Sequence, residues 1–542
     1  MPLMVVDPRI PPARQEKVLG TRRESMSGRK VMLFDNGKMG SDYGPYSVLF
    51  ERVSAALRSR FDDVEVIDFS EDLLRAKEDR LEDLARWIAD QDVSGVVFAL
   101  CDWGVSQPTA ILAARLEALN VPTTIIATPV GTSQVLANAA QMAPGLPVTT
   151  IQSLRSASQE AMVAEADQLV GEILDGLLLP VSELRERFDK RPINAPAPAS
   201  ESGLLEITGE DSSAEFTEAM RASQLGDGLP LVAPTREKVE QFLAAASERP
   251  DDRIWPVIPP RSTAVTAQEV AAVAVAAGCE PTWAPIVFAA YRAMAAPEFR
   301  LFQGAITTHP GGTLVFVSGP DAQRYGFASG RGALGPGFPA NATTGRAIAL
   351  GYSFLLGAIP GGADLTAQGS PAQYAYCCAE NLTDSPWDGL HASQGFPDQT
   401  TVTVLKCEGP HNVLDQQSTD PAQLLLTVAS CLATLGSNAA YVTGAETMVM
   451  LNPEHARLLA EAGWTKFDVA EFLFDAARNP REDLRGRGIG PIWPTWFDSA
   501  PRVPVTARVE DLLITVAGGA GPASQVAIPW GYSRAVTRPI TS

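Results

Sequence analysis

Between Lys30 and Leu177 the hydrophobic period switches back and forth between strand and helix spacing, and few folds accommodate that pattern. Val31-Met32-Leu33-Phe34 reads as a strand and 46–59 as a helix; Val64-Glu65-Val66-Ile67 reads as a strand and 81–89 as a helix. Gly95-Val96-Val97-Phe98-Ala99-Leu100 is apolar throughout, which predicts a strand buried on both faces. A helix over 108–119, a strand at Thr123-Thr124-Ile125-Ile126, a helix over 133–141, a short strand near Val148 and a long helix over 158–177 close the unit. Such alternation predicts a parallel, doubly wound sheet of flavodoxin or Rossmann type.

Ligands of such sheets sit beyond the carboxyl ends of the strands. Those ends carry Asp35-Asn36-Gly37-Lys38, Cys101-Asp102-Trp103-Gly104-Val105-Ser106 and Thr128-Pro129-Val130-Gly131-Thr132. Asn36 and Lys38 are candidate substrate-binding residues, and Asp102 and Ser106 candidate catalytic ones. Asp35 and Asp102 would serve equally well as helix caps. No GxGxxG follows the first strand, so a dinucleotide is not indicated.

A chain of 542 residues exceeds one average core. The pattern divides it into a loosely held arm (1–28), the α/β domain (29–180), a charged and then Pro/Ala/Ser-rich linker (181–204) and a larger α/β or α+β domain (205–542). In the last, 215–223, 236–246 (opened by Thr235), 266–277 and 284–296 read as helices. The stretch 303–368 follows, dense in glycine, with Asp321, Arg324, Arg331, Arg346 and Asp364 as its only charged residues. Glycine lets backbone approach a ligand and present N–H groups, and arginine grips carboxylates through two parallel hydrogen bonds. The stretch therefore reads as a site for a small anionic molecule, with Arg331, Asn341, Arg346 and Gln368 as binding residues. Gly519, in Gly518-Gly519-Ala520-Gly521, is added as part of an anion nest, with Ser524 as the cap of a helix after it.

Four strand-like segments, ending near Val317, Leu405, Leu451 and Val516, each run into a Gly or Pro loop. Their recurrence suggests one sheet edge that gathers His411, His455 and the Gly518 loop. Histidine occurs only at 309, 391, 411 and 455. His309, His391 and His411 lie in Gly/Pro/polar loops and are candidates for acid/base work, because imidazole titrates near neutrality. Glu380, delivered by the apolar run before it, is a base or an orienting partner for a histidine. A divalent metal held by these residues is an alternative that no HxH or HExxH spacing supports; no organic cofactor is expected.

The net charge of −20 argues against nucleic acid and anionic membrane as partners. The six cysteines lack a CxxC spacing and read as free thiols of a reducing compartment. No apolar core marks the first thirty residues as a signal peptide, and the run 421–445, though of membrane length, is broken by Ser430, Gly436, Ser437 and Asn438. The cytoplasm and a homo-oligomeric state are the expectations.

Leu33-Phe34-Asp35-Asn36-Gly37-Lys38, Asp102-Trp103-Gly104-Val105-Ser106 and Glu117-Ala118-Leu119-Asn120-Val121-Pro122-Thr123 resemble the UGSC family of (seleno)proteins, the last echoing its ExxGxPT with Asn120 in place of glycine. Thr308-His309-Pro310, Asn341-Ala342-Thr343, Gln368-Gly369 and Ala379-Glu380-Asn381 resemble the longer domain found beside it. The resemblance implies thiol or selenol chemistry at the strand end, but Trp103 stands at the selenocysteine or cysteine position, Val105 at the serine and Ser106 at the second cysteine. The expectation is therefore an acid/base enzyme, a lyase or hydrolase, acting on a small anionic organic substrate in a pocket between the domains. A thiol-dependent oxidoreductase using Cys377, Cys378 or Cys407 and a non-catalytic binding subunit are the alternatives.

Overall fold

The computed structural model describes the chain apart from residues 1–2, 10–18, 38–45, 74–77, 103, 153–156, 189–198, 201, 209–210, 258–262, 442–443, 486, 489–498, 532 and 541–542. The first domain is the parallel sheet that the sequence predicts. Its strands are β1 (Lys30–Asp35), β2 (Glu65–Ser70), β3 (Val93–Cys101), β4 (Thr123–Ala127) and β5 (Val148–Thr150), in spatial order β2-β1-β3-β4-β5. Period-two alternation on β1 sends Val31 and Leu33 into one core and Met32 and Phe34 into another. Helices Ser47–Arg60 and Gln159–Leu178 cover the first face. Helices Glu78–Asp90, Ser106–Ala118 and Pro129–Met142 lie on the second. All nine residues of β3 are buried, as its unbroken apolar run requires. The strand order reverses between β1 and β3, so this domain's topological switch point lies between Asn36 and Cys101.

The arm is held rather than loose. Leu3–Val6 pairs antiparallel with Leu204–Ile207, and Val6 N–H donates to Pro234 O, so apolar Val5 and Val6 are buried at the joint between the domains. Gly20 and Arg22 are pinned to the first domain through Glu117. That carboxylate accepts five hydrogen bonds of 2.6–2.7 Å, from Gly20 N, from two guanidinium nitrogens of Arg22, and from the amide and hydroxyl of Thr123. The expected linker likewise begins as a helix, Val181–Phe188, because Leu184 and Phe188 find apolar cover.

The second region stacks four layers. Its first sheet contains β6 (Gly312–Ser318), β7 (Cys377–Ala379), β8 (Thr401–Cys407) and, late in the chain, β13 (Val536–Pro539), in the order β7-β6-β8-β13. Its second contains β9 (His411–Leu414), β10 (Thr447–Leu451), β11 (Leu512–Val516) and β12 (Ala523–Ala527), in the order β9-β12-β10-β11. Leu314, Phe316 and Leu405 meet Met448, Met450 and Leu513 between the sheets. The outer face of the first sheet, with Val315, Val317, Val402 and Val404, packs on helices Ala284–Met294 and Pro339–Leu356, against which helix Ala267–Ala277 packs in turn. The outer face of the second packs on Pro421–Leu432, Pro453–Glu461 and Lys466–Ala476. Among the described residues no helix is long and apolar enough to cross a membrane.

The single sheet edge suggested by the four recurring units does not form. Two of their strands, β6 and β8, belong to the first sheet and two, β10 and β11, to the second, because their alternate residues face each other across the middle layer. Ser524 caps no helix; it lies in β12, where its hydroxyl accepts from Asn452 N–H and bonds His455 Nδ1 at 2.8 Å.

Candidate functional site

A cavity of about 520 Å³ opens where the start of β6, the end of β8 and helix Pro339–Leu356 meet the 358–374 loop. Small residues make the room: Gly304, Gly312, Gly345 and Ala349 line it. Gly312 has to be glycine, since a Cβ there would stand 2.3 Å from Ala372 O. Every described lining residue falls between 226 and 406, in the second region, and none comes from the first domain.

Lys406 projects into this wall. The alternation that buries Val402 and Val404 against the helices puts the next inward position of β8 at Lys406, only 5% exposed. Its ammonium lies 4.5 Å from the centroid of the Tyr352 ring, and no hydrogen bond or ion pair reaches it from the described residues. The Tyr352 hydroxyl is 2.7 Å from Thr313 Oγ1, and Thr313 is the residue opposite Lys406 across β6 and β8. Burial pushes the ammonium down to about 8, against the pull of the Asp364 carboxylate. Burial also pushes the Tyr352 hydroxyl above its ordinary value, so it stays protonated and able to donate. Asp364 lines the same wall, its Oδ1 accepting from the amide and hydroxyl of Thr366.

Of the binding residues expected from sequence, Gln368 lines the cavity. Arg346 stands behind it with its guanidinium committed: it donates to Asp227 at 2.6 and 2.9 Å, to Pro230 O at 2.9 Å and to Ala277 O at 3.3 Å. It is a clasp on the 226–230 turn and not a free anion receptor. Asn341 is also spent on backbone, exchanging two 2.9 Å hydrogen bonds with Ala328 and donating to Ala333 O. Arg331 is exposed and reaches Ala520 O, and its backbone packs on Gly519, where a Cβ would approach Arg331 to 2.8 Å. Neither Arg331 nor Gly519 lines the cavity.

The histidines divide four ways. His309 Nε2 is 3.1 Å from the Glu408 carboxylate, while its buried Nδ1 has no hydrogen-bond partner among the described residues and lies beside the cavity-lining Gly311. His411 is exposed on β9. His455 is bonded to Ser524 and to Asp415 O. His391 is brought together with Glu380, as expected, through a residue that sequence reading passes over. The Ser318 hydroxyl lies 2.5 Å from Glu380 Oε2 and 2.8 Å from His391 Nδ1, and it accepts from His391 N–H at 3.1 Å. Leu390 N–H and Lys466 complete the shell of Glu380, at 2.6 and 3.4 Å. The cluster is closed, with Ser318 and the Glu380 side chain fully buried. Ser318 and Thr313 occupy opposite ends and opposite faces of β6, about 17 Å apart at the rise of an extended strand. Cluster and cavity are thus separate places on one strand.

In the first domain Ser106 donates to Asp102 O at 2.7 Å and is buried in the first turn of its helix. Asp102 Oδ1 accepts from Thr128 at 3.0 Å. Asn36 Nδ2 donates to Thr109 Oγ1, leaving Oδ1 buried without a hydrogen bond among the described residues. Lys38 and Trp103 lie outside the described residues. Cys101, Cys378 and Cys407 are buried, and desolvation pushes each thiol up to about 12; the Cys377 thiol is also pushed up, by burial and by its neighbour Cys378. Such thiols carry almost no thiolate at neutral pH. Lys406, Ser318 and Lys466 are the residues sequence reading misses. The available signal for the first is a lysine at an inward position of an otherwise apolar strand.

Residues 4–179 match the model of the UGSC family, so the first domain is a UGSC-family domain. No curated protein and no solved structure matches the chain.

Proposed function

We propose, taking a UGSC-family domain that has lost its thiols as the starting point, that the second region carries the activity: an enzyme that admits a small anionic organic molecule beside Lys406 and cleaves it by proton transfer, as a lyase or hydrolase. The observation that carries this reading is the Lys406 ammonium, buried on a cavity wall with no hydrogen bond or ion pair from the described residues. A buried charge without a partner is costly, and an anionic ligand would offset that cost. An amine that titrates near neutrality also suits general acid/base work. Arg346, neutralised by Asp227, cannot supply the charge in its place. The thiol-dependent alternative is disfavoured by the same burial that raises Cys377, Cys378 and Cys407.

Calorimetric titration of the full chain with a panel of small carboxylates tests the reading. Binding should be present in the wild type and lost in Lys406→Met, with the circular dichroism of the two proteins the same. Equal binding by the variant would rule the site out, and binding without turnover of any ligand would leave a binding protein.

A further inference from the structure

We propose that Lys406 is a nucleophile that captures the carbonyl carbon of a small 2-oxo acid or aldehyde as an iminium ion. The proposal rests on the cavity being the substrate site and names the class of substrate.

Three features of the wall converge on this chemistry. First, the lysine nitrogen has no hydrogen bond or ion pair from described residues to break before it reacts; it rests on the face of Tyr352 at 4.5 Å. Lysines activated as Schiff-base nucleophiles are those desolvated in this way. Burial holds the ammonium down to about 8, so the neutral amine is far more abundant near neutral pH than on a surface lysine. Second, a proton donor stands beside it: the Tyr352 hydroxyl, tied to Thr313 Oγ1 at 2.7 Å, on the residue whose ring the amine touches. Third, the cavity of about 520 Å³ falls in the size range of small-molecule sites, and its glycines leave backbone open to a carboxylate.

The steps balance without an oxidant or reductant. The ammonium first gives one proton to solvent; the neutral amine adds to the carbonyl carbon, forming the C–N bond, and the carbonyl π electrons go to oxygen, which takes the proton that the nitrogen then loses. The carbinolamine hydroxyl then leaves as water with a second proton, delivered from the Tyr352–Thr313 pair, as the nitrogen lone pair closes the C=N bond. Overall an ammonium and a carbonyl become an iminium and a water with no net release of a proton, because the proton the ammonium sheds at the start is balanced by the one that expels the hydroxyl. The site carries one positive charge before and after, so the contact with the Tyr352 ring persists. An iminium withdraws electrons from the adjacent carbon, and cleavage or proton loss there is the lyase-type outcome proposed above.

Incubation of the full chain with pyruvate, glyoxylate or acetaldehyde and sodium cyanoborohydride, followed by peptide mapping, provides the test. The expected result is a reduced secondary-amine adduct on Lys406 that forms more than about tenfold faster than on any surface lysine, given the larger fraction of free amine. Lactate, which keeps the carboxylate and lacks the carbonyl, should bind and leave no adduct. Lys406→Arg, which keeps the charge, should bind pyruvate and lactate alike and lose the adduct. Adducts spread over surface lysines with none favoured at 406 would overturn the nucleophile. If lactate and pyruvate both bind the wild type without any adduct, the nucleophile fails and the anion site stands; if neither binds, both fail. The wild-type map decides the matter even where the variant does not fold.

Discussion

Lys406 and Tyr352 meet as a cation and a ring, with the ammonium 4.5 Å from the centroid and no carboxylate in hydrogen-bond contact among the described residues. A desolvated contact of this kind contributes roughly 0.5–2 kcal/mol to the charged form. Tyr352→Phe keeps the ring and should leave the titration of Lys406 nearly unchanged. Tyr352→Leu removes it and should lower the midpoint by roughly one unit. NMR of the lysine ε-carbon across pH reads both, and a midpoint unmoved in the leucine variant would show that the ring does not support the charge.

The same burial makes stability depend on pH in an unusual direction. Below about 8 the lysine is protonated in the folded and unfolded chain alike, and the cost of burying its charge is fully present. Between about 8 and the ordinary 10.5 the folded protein releases a proton that the unfolded chain keeps, so this group's contribution to stability rises with pH. The span corresponds to roughly 3 kcal/mol. Lys406→Met should therefore be more stable than the wild type at neutral pH, and the difference should shrink toward pH 10. Urea denaturation of both proteins at the two pH values measures it. A methionine variant less stable at pH 7 would mean that the ammonium has a compensating partner.

Arg346 behaves as a strut in the structure. Removing it leaves the Asp227 carboxylate, 10% exposed, without its partner. Arg346→Ala should cost about 3–5 kcal/mol. Replacing Asp227 by asparagine in the same chain should recover part of that loss. If Arg346→Ala instead weakened carboxylate binding with an unchanged melting temperature, the arginine would be a ligand group.

Asn120 holds a left-handed backbone, φ 64°, at the place where the resembling motif has glycine. Its Oδ1 also accepts from Thr21 N–H at 2.7 Å. Asn120→Gly should lose only the arm contact, while Asn120→Val should lose that contact and about 1–2 kcal/mol more from backbone strain. Thermal unfolding compares them, and a valine variant as stable as the glycine one would contradict the strain argument.

The legible and illegible parts of the chain differ for a physical reason. The parallel sheet can be read because each strand and helix carries its own period, and β3 announces its double burial through an unbroken apolar run. Glu380 and His391 can be picked out because polar residues follow directly on an apolar strand. Ser318 cannot, since a serine at a strand end gives no sign of what faces it from 62 and 73 residues away. Lys406 hides for the same reason: its meaning depends on Tyr352 and on a void, neither of which is local in sequence. Glycine-rich surroundings suggest a ligand for Arg346, whereas its guanidinium is paired with a carboxylate 119 residues earlier, which no local pattern announces.

The Glu117 clasp carries a wider implication. Glu117, Asn120 and Thr123 close one loop around the incoming arm, through bonds that reach Gly20, Thr21 and Arg22. The part of the motif that secures the architecture thus sits at the opposite end of helix Ser106–Ala118 from the strand-end residues. Substitutions at the strand end therefore leave the partners of the Glu117 clasp unchanged. Kinship read from this loop tracks ancestry of the frame and is silent on which reaction a given descendant performs.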